Sequence, residues 1–209
     1  MTDSAVREPE ALASDEDRRS QILDCTCRVI ARDGADGLRM AAVAREADVS
    51  SALLHYYFAT REDLIRLAFE HHDRRETARS AQRLADIADP VERIRDVLAQ
   101  ELSEDEGVRE GWVLWSEMER SAIFREDSRA SVAARAGRWV GLLAALITEA
   151  KDADRVPAEV DSPSAALRLT ALIDGLGIHV LIGRLPREQA LAELEVAMRE
   201  ILHLDATGG

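Results

Sequence analysis

Residues 39–64 read RMAAVAREADVSSALLHYYFATREDL, and this stretch decides how the rest of the chain is interpreted. Apolar residues from Val43 to Ala47 recur at the spacing of one face of a helix, and the pattern then breaks. Ser50 can cap a second short helix, because its hydroxyl oxygen can accept a backbone N–H at a helix start. Thr60, followed three residues later by an acidic residue, is typical of the start of a further helix. The stretch therefore predicts two short helices joined by a tight turn, and then the beginning of a third.

Two short helices joined by a tight turn form the helix-turn-helix motif, whose second helix enters the major groove of DNA. The segment resembles the DNA-binding signature of the tetracycline-repressor (TetR) family of bacterial transcription regulators. The residues that carry the resemblance are Val43-Ala44, Ala47, Val49-Ser50, Phe58 and Arg61-Glu62-Asp63-Leu64. The residues that depart from the family pattern are Arg39, Asp48, Leu53 and His55. These departures leave the motif recognisable but prevent its base preference from being read by analogy.

The charge of the chain is distributed unevenly. The 209 residues carry a net charge of −13, which argues against a protein that binds nucleic acid generally. Residues 16–75 contain ten arginines and eleven acidic residues, so this part is close to neutral. A nearly neutral domain can bind DNA if its arginines cluster on the docking face. The acidic excess lies mainly in residues 76–209, where it predicts a solvated surface.

The composition indicates a cytoplasmic protein. The two cysteines, Cys25 and Cys27, are two positions apart on a predicted helix, so they point to different faces and do not form a disulfide. We find no signal peptide, and we expect no apolar run of about 18 residues that could span a bilayer. The sequence therefore predicts no association with a membrane.

The periodicity along the chain predicts an all-α fold with about nine helices. Residues 1–14 are polar and lack periodicity, which predicts a disordered N-terminal arm. Residues 15–75 form the predicted three-helix DNA-binding domain with the helix-turn-helix. Residues 76–209 form the predicted C-terminal domain, which is helical and serves ligand binding and dimerisation. Apolar residues make up 46% of the chain and aromatic residues 4%, so the core must consist mainly of aliphatic side chains.

The predicted DNA contacts lie on and around the second helix of the motif. Ser51, Ala52, Leu53 and His55 are the candidates for contacts with base edges, where Ala52 and Leu53 suit a thymine methyl group. The candidates for phosphate contacts are Arg18, Arg39, Ser50, Tyr56, Tyr57 and Arg61, some of them implied by the family resemblance. We expect one of the two tyrosines to pack in the core instead.

An almost continuous run of apolar residues predicts a buried helix from Ser162 to Leu181. Such a helix could be buried in the core of its own chain or in a subunit interface, and the family resemblance favours the interface. The residues predicted for a dimer interface are Leu169, Leu172, Leu176, Val180, Leu194 and Met198. A two-fold dimer implies a palindromic operator, with half-sites about 34–36 Å apart or a multiple of that distance.

The C-terminal part also resembles the branch of the family that contains the choline-responsive repressor of betaine synthesis. The stretch Trp112–Trp115 and the run Ile173-Asp174-Gly175-Leu176 carry this resemblance. The predicted residues of an effector pocket are Trp112, Trp115, Met118, Glu119, Phe124, Trp139 and Asp174. Tryptophan next to carboxylates suits a cationic amine, through cation–π attraction and charge. The alternative interpretation of these aromatic residues is ordinary core packing.

Two other classes of protein compete with a regulator. An enzyme would need a nucleophile elbow, a phosphate-binding glycine loop or a metal-ligand spacing, and the sequence shows none of these. His71 and His72 are adjacent, so they project in different directions, and we predict neither a metal site nor a cofactor. A helical interaction module that has lost sequence-specific DNA binding is the second alternative. The departures at Asp48, Leu53 and His55 favour it.

Overall fold

The computed structural model describes residues 14–204, apart from the side chain of Asp127. This part of the chain contains nine α-helices and no strand, so the predicted all-α fold is confirmed. The helices are α1 (Asp15–Gly37), α2 (Met40–Glu46), α3 (Ser51–Tyr57), α4 (Arg61–Ala85), α5 (Pro90–Gln100), α6 (Glu106–Phe124), α7 (Glu126–Asp152), α8 (Ser162–Leu181) and α9 (Arg187–Leu202). Except for Ser14, the predicted N-terminal arm lies outside the described residues.

The chain divides into two compact units, which separate between His72 and Asp73. The division falls within α4, three residues before the boundary predicted from the sequence. The first unit contains α1, α2, α3 and the beginning of α4. The second unit contains the rest of α4 and the five helices that follow it.

The first unit has a mainly aliphatic core with two buried aromatic side chains, Phe58 and Phe69. Ile22 and Ile30 of α1, Val43 of α2 and Leu54 of α3 are fully buried, and Phe58 is 1% exposed. Helix α1 begins with a reciprocal capping box, in which the Ser14 hydroxyl accepts the Asp17 N–H and the Asp17 carboxylate accepts the Ser14 N–H. Near its end, α1 kinks at Gly34 (φ 75°, ψ 161°), a backbone conformation that is essentially restricted to glycine.

The core of the second unit is built by α5, α7, α8 and α9. Its members include Ile94, Leu98, Leu143, Ile147, Leu169, Ile173, Leu194 and Met198. Helix α5 begins as the sequence predicts, with Pro90 at its first position and the Asp89 carboxylate accepting the Val91 N–H at 2.8 Å. Helix α6 packs against this four-helix core.

Two helices of the second unit are long and apolar enough, by length and composition alone, to cross a membrane. They are Ser128–Asp152, within α7, and α8. The expectation that no such segment exists was wrong by this criterion, because the many alanine residues raise the hydropathy between scattered large apolar side chains. Core helices of soluble proteins pass the same test, and here both helices contribute to the core described above.

Candidate DNA-binding and ligand-binding sites

The turn between α2 and α3 is a hydrogen-bonded helix terminus. Asp48 has φ 51°, in the left-handed region, and its N–H donates to the Arg45 carbonyl oxygen at 3.3 Å. The Val49 N–H donates to the Ala44 carbonyl oxygen at 2.9 Å. These two bonds form a Schellman motif, in which the left-handed residue is usually glycine. Aspartate tolerates this conformation better than most residues, which explains how the motif accommodates its departure from the family pattern.

Helix α3 has one buried and one exposed face. Leu54 anchors it in the core of the first unit, and Ser50 caps its start by accepting the Leu53 N–H at 3.1 Å. The predicted base-reading residues Ser51, Ala52 and His55 are exposed, and Leu53 is half-buried. The side chains of Ser51, Ala52 and His55 therefore lie on the face of α3 that is exposed to solvent.

The two tyrosines of α3 lie in different surroundings. Tyr56 is 75% exposed, whereas Tyr57 is half-buried. The Tyr57 hydroxyl donates to the Asp15 carboxylate at 2.9 Å, and this hydrogen bond raises the pKa of Tyr57. Tyr57 thus joins α3 to α1, and Tyr56 is the tyrosine that is open to a phosphate.

The arginines predicted to contact phosphate also differ. Arg39 is exposed at the residue before α2, and Arg18 is half-buried and donates to the Gln21 side chain at 3.0 Å. Arg61 donates from Nε to the Leu38 carbonyl oxygen at 2.9 Å and from Nη2 to the Ala35 carbonyl oxygen. Two donors of Arg61 therefore bind carbonyl groups at the end of α1.

In the second unit, Trp112 of α6 is held from two sides. Its indole N–H donates to the Glu101 carbonyl oxygen, just after α5, at 2.7 Å. On the other side the ring packs so closely on Gly177 of α8 that a Cβ atom built on this glycine would lie 2.0 Å from the ring. Trp112 therefore ties α6 to α5 and α8, and a side chain at position 177 would displace it.

Trp115, also on α6, has a cation on its ring. The guanidinium carbon of Arg135, on α7, lies 4.6 Å from the ring centroid, a distance typical of a cation–π contact. Arg135 Nε also donates to Asp73 Oδ1 at 3.0 Å, and Arg138 Nη2 donates to Asp73 Oδ2 at 2.7 Å. The aromatic ring, two arginines and the carboxylate thus link α6, α7 and α4.

Three further carboxyl groups interact electrostatically with Arg135. Partial removal from water raises the pKa values of Glu101, Glu119 and Asp174, and the positive charge of Arg135 lowers them by less. The repulsion between Glu119 and Asp174 raises the pKa of Glu119 further. Carboxylates that are partly removed from water are stabilised by a nearby positive charge, which Arg135 supplies here.

Not all predicted pocket residues lie together. Trp112, Trp115 and Met118 are buried, Asp174 is half-buried, and Glu119 is exposed. Phe124 is the last residue of α6 and is 78% exposed, so the structure does not bury it together with the two tryptophans. Trp139 packs against the core of α5, α7, α8 and α9, in line with the alternative of core packing.

Most residues predicted for the dimer interface are covered by the chain itself. Leu169, Leu176, Leu194 and Met198 lie in the core of the second unit, and Leu172 and Val180 pack half-buried against it. All six are buried or half-buried within the chain, and the apolar run gave no indication of which face of α8 is turned inward. The exposed face of α8 contains Leu167, Ala171 and Gly175, and Ile182 is exposed just after the end of the helix.

Two residues of the second unit were not predicted from the sequence: Glu101 and Arg135. Arg135 could have been found, since it lies four residues before Trp139 and so on the same side of its helix. Glu101 acts through its backbone carbonyl oxygen, which no side-chain pattern reveals.

Solved structures show the same fold. A TetR-family transcriptional regulator from Rhodococcus sp. is 30% identical, with a TM-score of 0.77, and the match covers 88% of this chain and 98% of that one. A transcriptional regulator from Saccharomonospora viridis in complex with choline is 28% identical, with a TM-score of 0.79, over 88% of this chain and 95% of that one.

Curated relatives lead to the same group of proteins. The HTH-type transcriptional regulator PksA of Bacillus subtilis is 29% identical over 80% of both chains. The HTH-type transcriptional regulator BetI of Burkholderia ambifaria is 28% identical over 78% of this chain and 81% of its own. These relatives are transcriptional regulators and not enzymes.

Two family models cover most of the chain. Residues 22–68 match the model of bacterial regulatory proteins of the tetR family, which includes the helix-turn-helix described above. Residues 90–203 match the C-terminal domain of BetI-type transcriptional repressors, which includes the Trp112 and Trp115 region. The chain therefore belongs to the TetR family of transcriptional regulators, with an N-terminal DNA-binding domain and a C-terminal ligand-binding domain of the BetI type.

Proposed function

We propose that this protein is a cytoplasmic repressor that binds a palindromic operator as a homodimer and leaves it when a cationic small molecule binds the C-terminal domain. The observation that supports the DNA-binding part is that helix α3 has one buried face and one exposed face. Leu54 fixes the helix in the core, while Ser51, Ala52 and His55 stay exposed on the opposite side. This is the arrangement that a recognition helix needs in order to reach base edges.

The DNA contacts that we propose follow from which side chains on and around α3 are exposed. Ser51, Ala52, Leu53 and His55 face the bases, and Arg39, Ser50 and Tyr56 face the phosphates. Arg18 is a further phosphate candidate if its hydrogen bond to Gln21 opens. Tyr57 and Arg61 act instead by positioning α3 and α4, because their donors are used within the domain.

The cationic effector is supported by the surroundings of Trp115. The ring already accepts the guanidinium group of Arg135, and the carboxyl groups of Glu119 and Asp174 interact electrostatically with that guanidinium. The related regulator from Saccharomonospora viridis binds choline, a quaternary ammonium compound. We therefore propose an organic ammonium ion as the class of effector.

The proposal is tested by selecting bound sequences from a random pool of DNA duplexes at moderate salt. We expect one palindrome, whose half-site centres are about 34–36 Å apart or a multiple of that. His55→Ala should relax the preference at one base position of each half-site. Arg39→Ala should weaken binding to all sequences and reduce the dependence on salt by about one ion. If no sequence is enriched, even from protein freed of bound small molecules by unfolding and refolding, the interaction module becomes the better interpretation.

A further inference from the structure

Arg135 occupies the ring that a cationic ligand of this domain would use. Its guanidinium group lies 4.6 Å from the centroid of the Trp115 ring, and its side chain is 26% exposed. A cation within about 6 Å of an aromatic face is attracted by the electrons of the ring. The ring of Trp115 is therefore already used as a cation site by the chain itself.

Several carboxylates interact with Arg135, and their negative charges favour a cation at this site. Asp73 binds Arg135 directly, and the charges of Glu101, Glu119 and Asp174 all interact with it. Arg138 is the second arginine on Asp73, but its side chain is 64% exposed, so much of its charge is screened by water. If Arg135 left the ring, the carboxylates would attract another positive charge to the same place.

We infer that Arg135 is a built-in competitor of the effector: it holds the face of Trp115 in the empty protein, and an organic ammonium ion must displace it in order to bind. This inference rests on the proposed cationic effector and goes further, since it assigns to one residue the control of affinity. A quaternary ammonium group suits the exchange, because it carries the same charge as arginine and offers no N–H to Asp73. An ammonium ion that displaces Arg135 from the Trp115 ring therefore does not replace the hydrogen bond from Arg135 to Asp73.

Arg135 also contacts α4, through Asp73. Asp73 lies on α4, which begins at Arg61 in the DNA-binding domain and continues without interruption to Ala85. Arg135 therefore contacts both the Trp115 ring and a residue of α4, and Arg138 is a second partner of that residue.

The test compares the full-length wild-type protein with Arg135→Gln, and with Arg138→Gln as the matched control. Arg138→Gln also removes one charge and one bond to Asp73, but it leaves the cation on Trp115. The probes are choline chloride and tetramethylammonium chloride, titrated calorimetrically at constant ionic strength. We expect Arg135→Gln to bind both probes about tenfold more tightly than the wild type, and Arg138→Gln to stay within about twofold.

The result that overturns the inference is an affinity of Arg135→Gln equal to or below that of the wild type, including no binding at all. If the wild type binds neither probe and Arg135→Gln binds both, the inference stands, and the effector is an organic cation that binds more tightly than either probe. Should Arg135→Gln fail to fold, Arg135→Lys decides. Lysine keeps the charge but not the planar group, so we expect tighter binding than in the wild type, and unchanged or weaker binding contradicts the inference.

Discussion

Asp48 illustrates how a single residue can depart from a family pattern and still preserve the structure. A residue other than glycine in the left-handed region costs about 1–2 kcal/mol, and aspartate reduces this cost because its short side chain can bond locally. We expect Asp48→Gly to raise the free energy of unfolding by about 0.5–1 kcal/mol, and Asp48→Val to lower it by about 1–2 kcal/mol. Urea denaturation of the three proteins measures both changes. A valine variant as stable as the wild type would show that the turn does not adopt this conformation.

Arg61 stabilises the DNA-binding domain through carbonyl groups that would otherwise lack these partners. Its bonds to the oxygens of Ala35 and Leu38 join the start of α4 to the end of α1. We expect Arg61→Ala to lower the free energy of unfolding by about 1–3 kcal/mol, because it removes two hydrogen bonds from a charged donor, although the Ala35 carbonyl oxygen keeps the Leu38 N–H. The measurement combines urea denaturation with the salt dependence of operator binding, which we expect to stay unchanged. A stable variant with reduced salt dependence would show instead that Arg61 contacts a phosphate.

Gly177 leaves room for a tryptophan. A Cβ atom at this position would lie 2.0 Å from the Trp112 ring, which the Glu101 carbonyl oxygen holds from the other side. We expect Gly177→Ala to lower the free energy of unfolding by about 1–3 kcal/mol, as overpacking usually does. The control is Gly141→Ala on α7, where nothing lies within 4 Å and where alanine should add about 0.5–1 kcal/mol. Thermal or urea denaturation separates the two, and equal stabilisation by both changes would contradict the packing of Trp112.

At the scale of helices, the sequence predicts where elements begin more reliably than which way they face. Ser50, Asp89 and Pro163 mark helix starts by local chemistry, and the structure has helices at all three places. Helix α8 is different: large apolar residues lie on several of its sides, so its pattern has little contrast. The choice between core and interface then depends on α7 and α9, and for this reason the sequence did not indicate that Leu169 is buried within the chain.

The exposed stripe of α8 is the surface that we propose for the dimer. Leu167 is 60% and Ile182 63% exposed, and the exposed residues Ala171 and Gly175 between them follow the helical spacing. On α9, Val196 is 53% exposed. Exposed apolar side chains arranged in a stripe, with small residues between them, are typical of a packing surface between helices.

The prediction for this surface is a loss of dimers. Leu167→Glu should weaken dimerisation at least about 100-fold, because it would bury a charge without a partner. Ile123→Glu is the matched control, since Ile123 is 67% exposed and lies on α6, outside the stripe. Analytical ultracentrifugation measures the dimer, and the operator affinity should fall together with it. A dimer that persists in Leu167→Glu but not in Ile123→Glu would move the interface to the end of α6.

For the molecule as a whole, the sequence was sufficient for the helical fold and for the DNA-binding motif, because both depend on local patterns such as residues 39–64. The ligand-binding domain was predicted less completely. Trp112 and Trp115 were identified from their residue type and the family resemblance. The partners that give them a role, Gly177 and Arg135, come from other helices and become neighbours only when the core of α7 and α8 forms.

The acidic groups near Arg135 link the ligand site to the stability of the molecule. Burial raises the pKa of Asp174 more than Arg135 lowers it, so the folded chain binds this proton more tightly than the unfolded chain. Between the ordinary and the raised pKa values, stability must therefore fall as the pH rises. We expect Asp174→Asn to be more stable than the wild type at pH 7 and to gain less stability when the pH is lowered to about 5. Urea denaturation at both pH values measures this, with Glu159→Gln as a control at an exposed carboxylate.

A variant less stable than the wild type at pH 7 would mean that the attraction to Arg135 outweighs burial. Then the carboxylate would be satisfied within the chain, and it would offer little to a cationic effector.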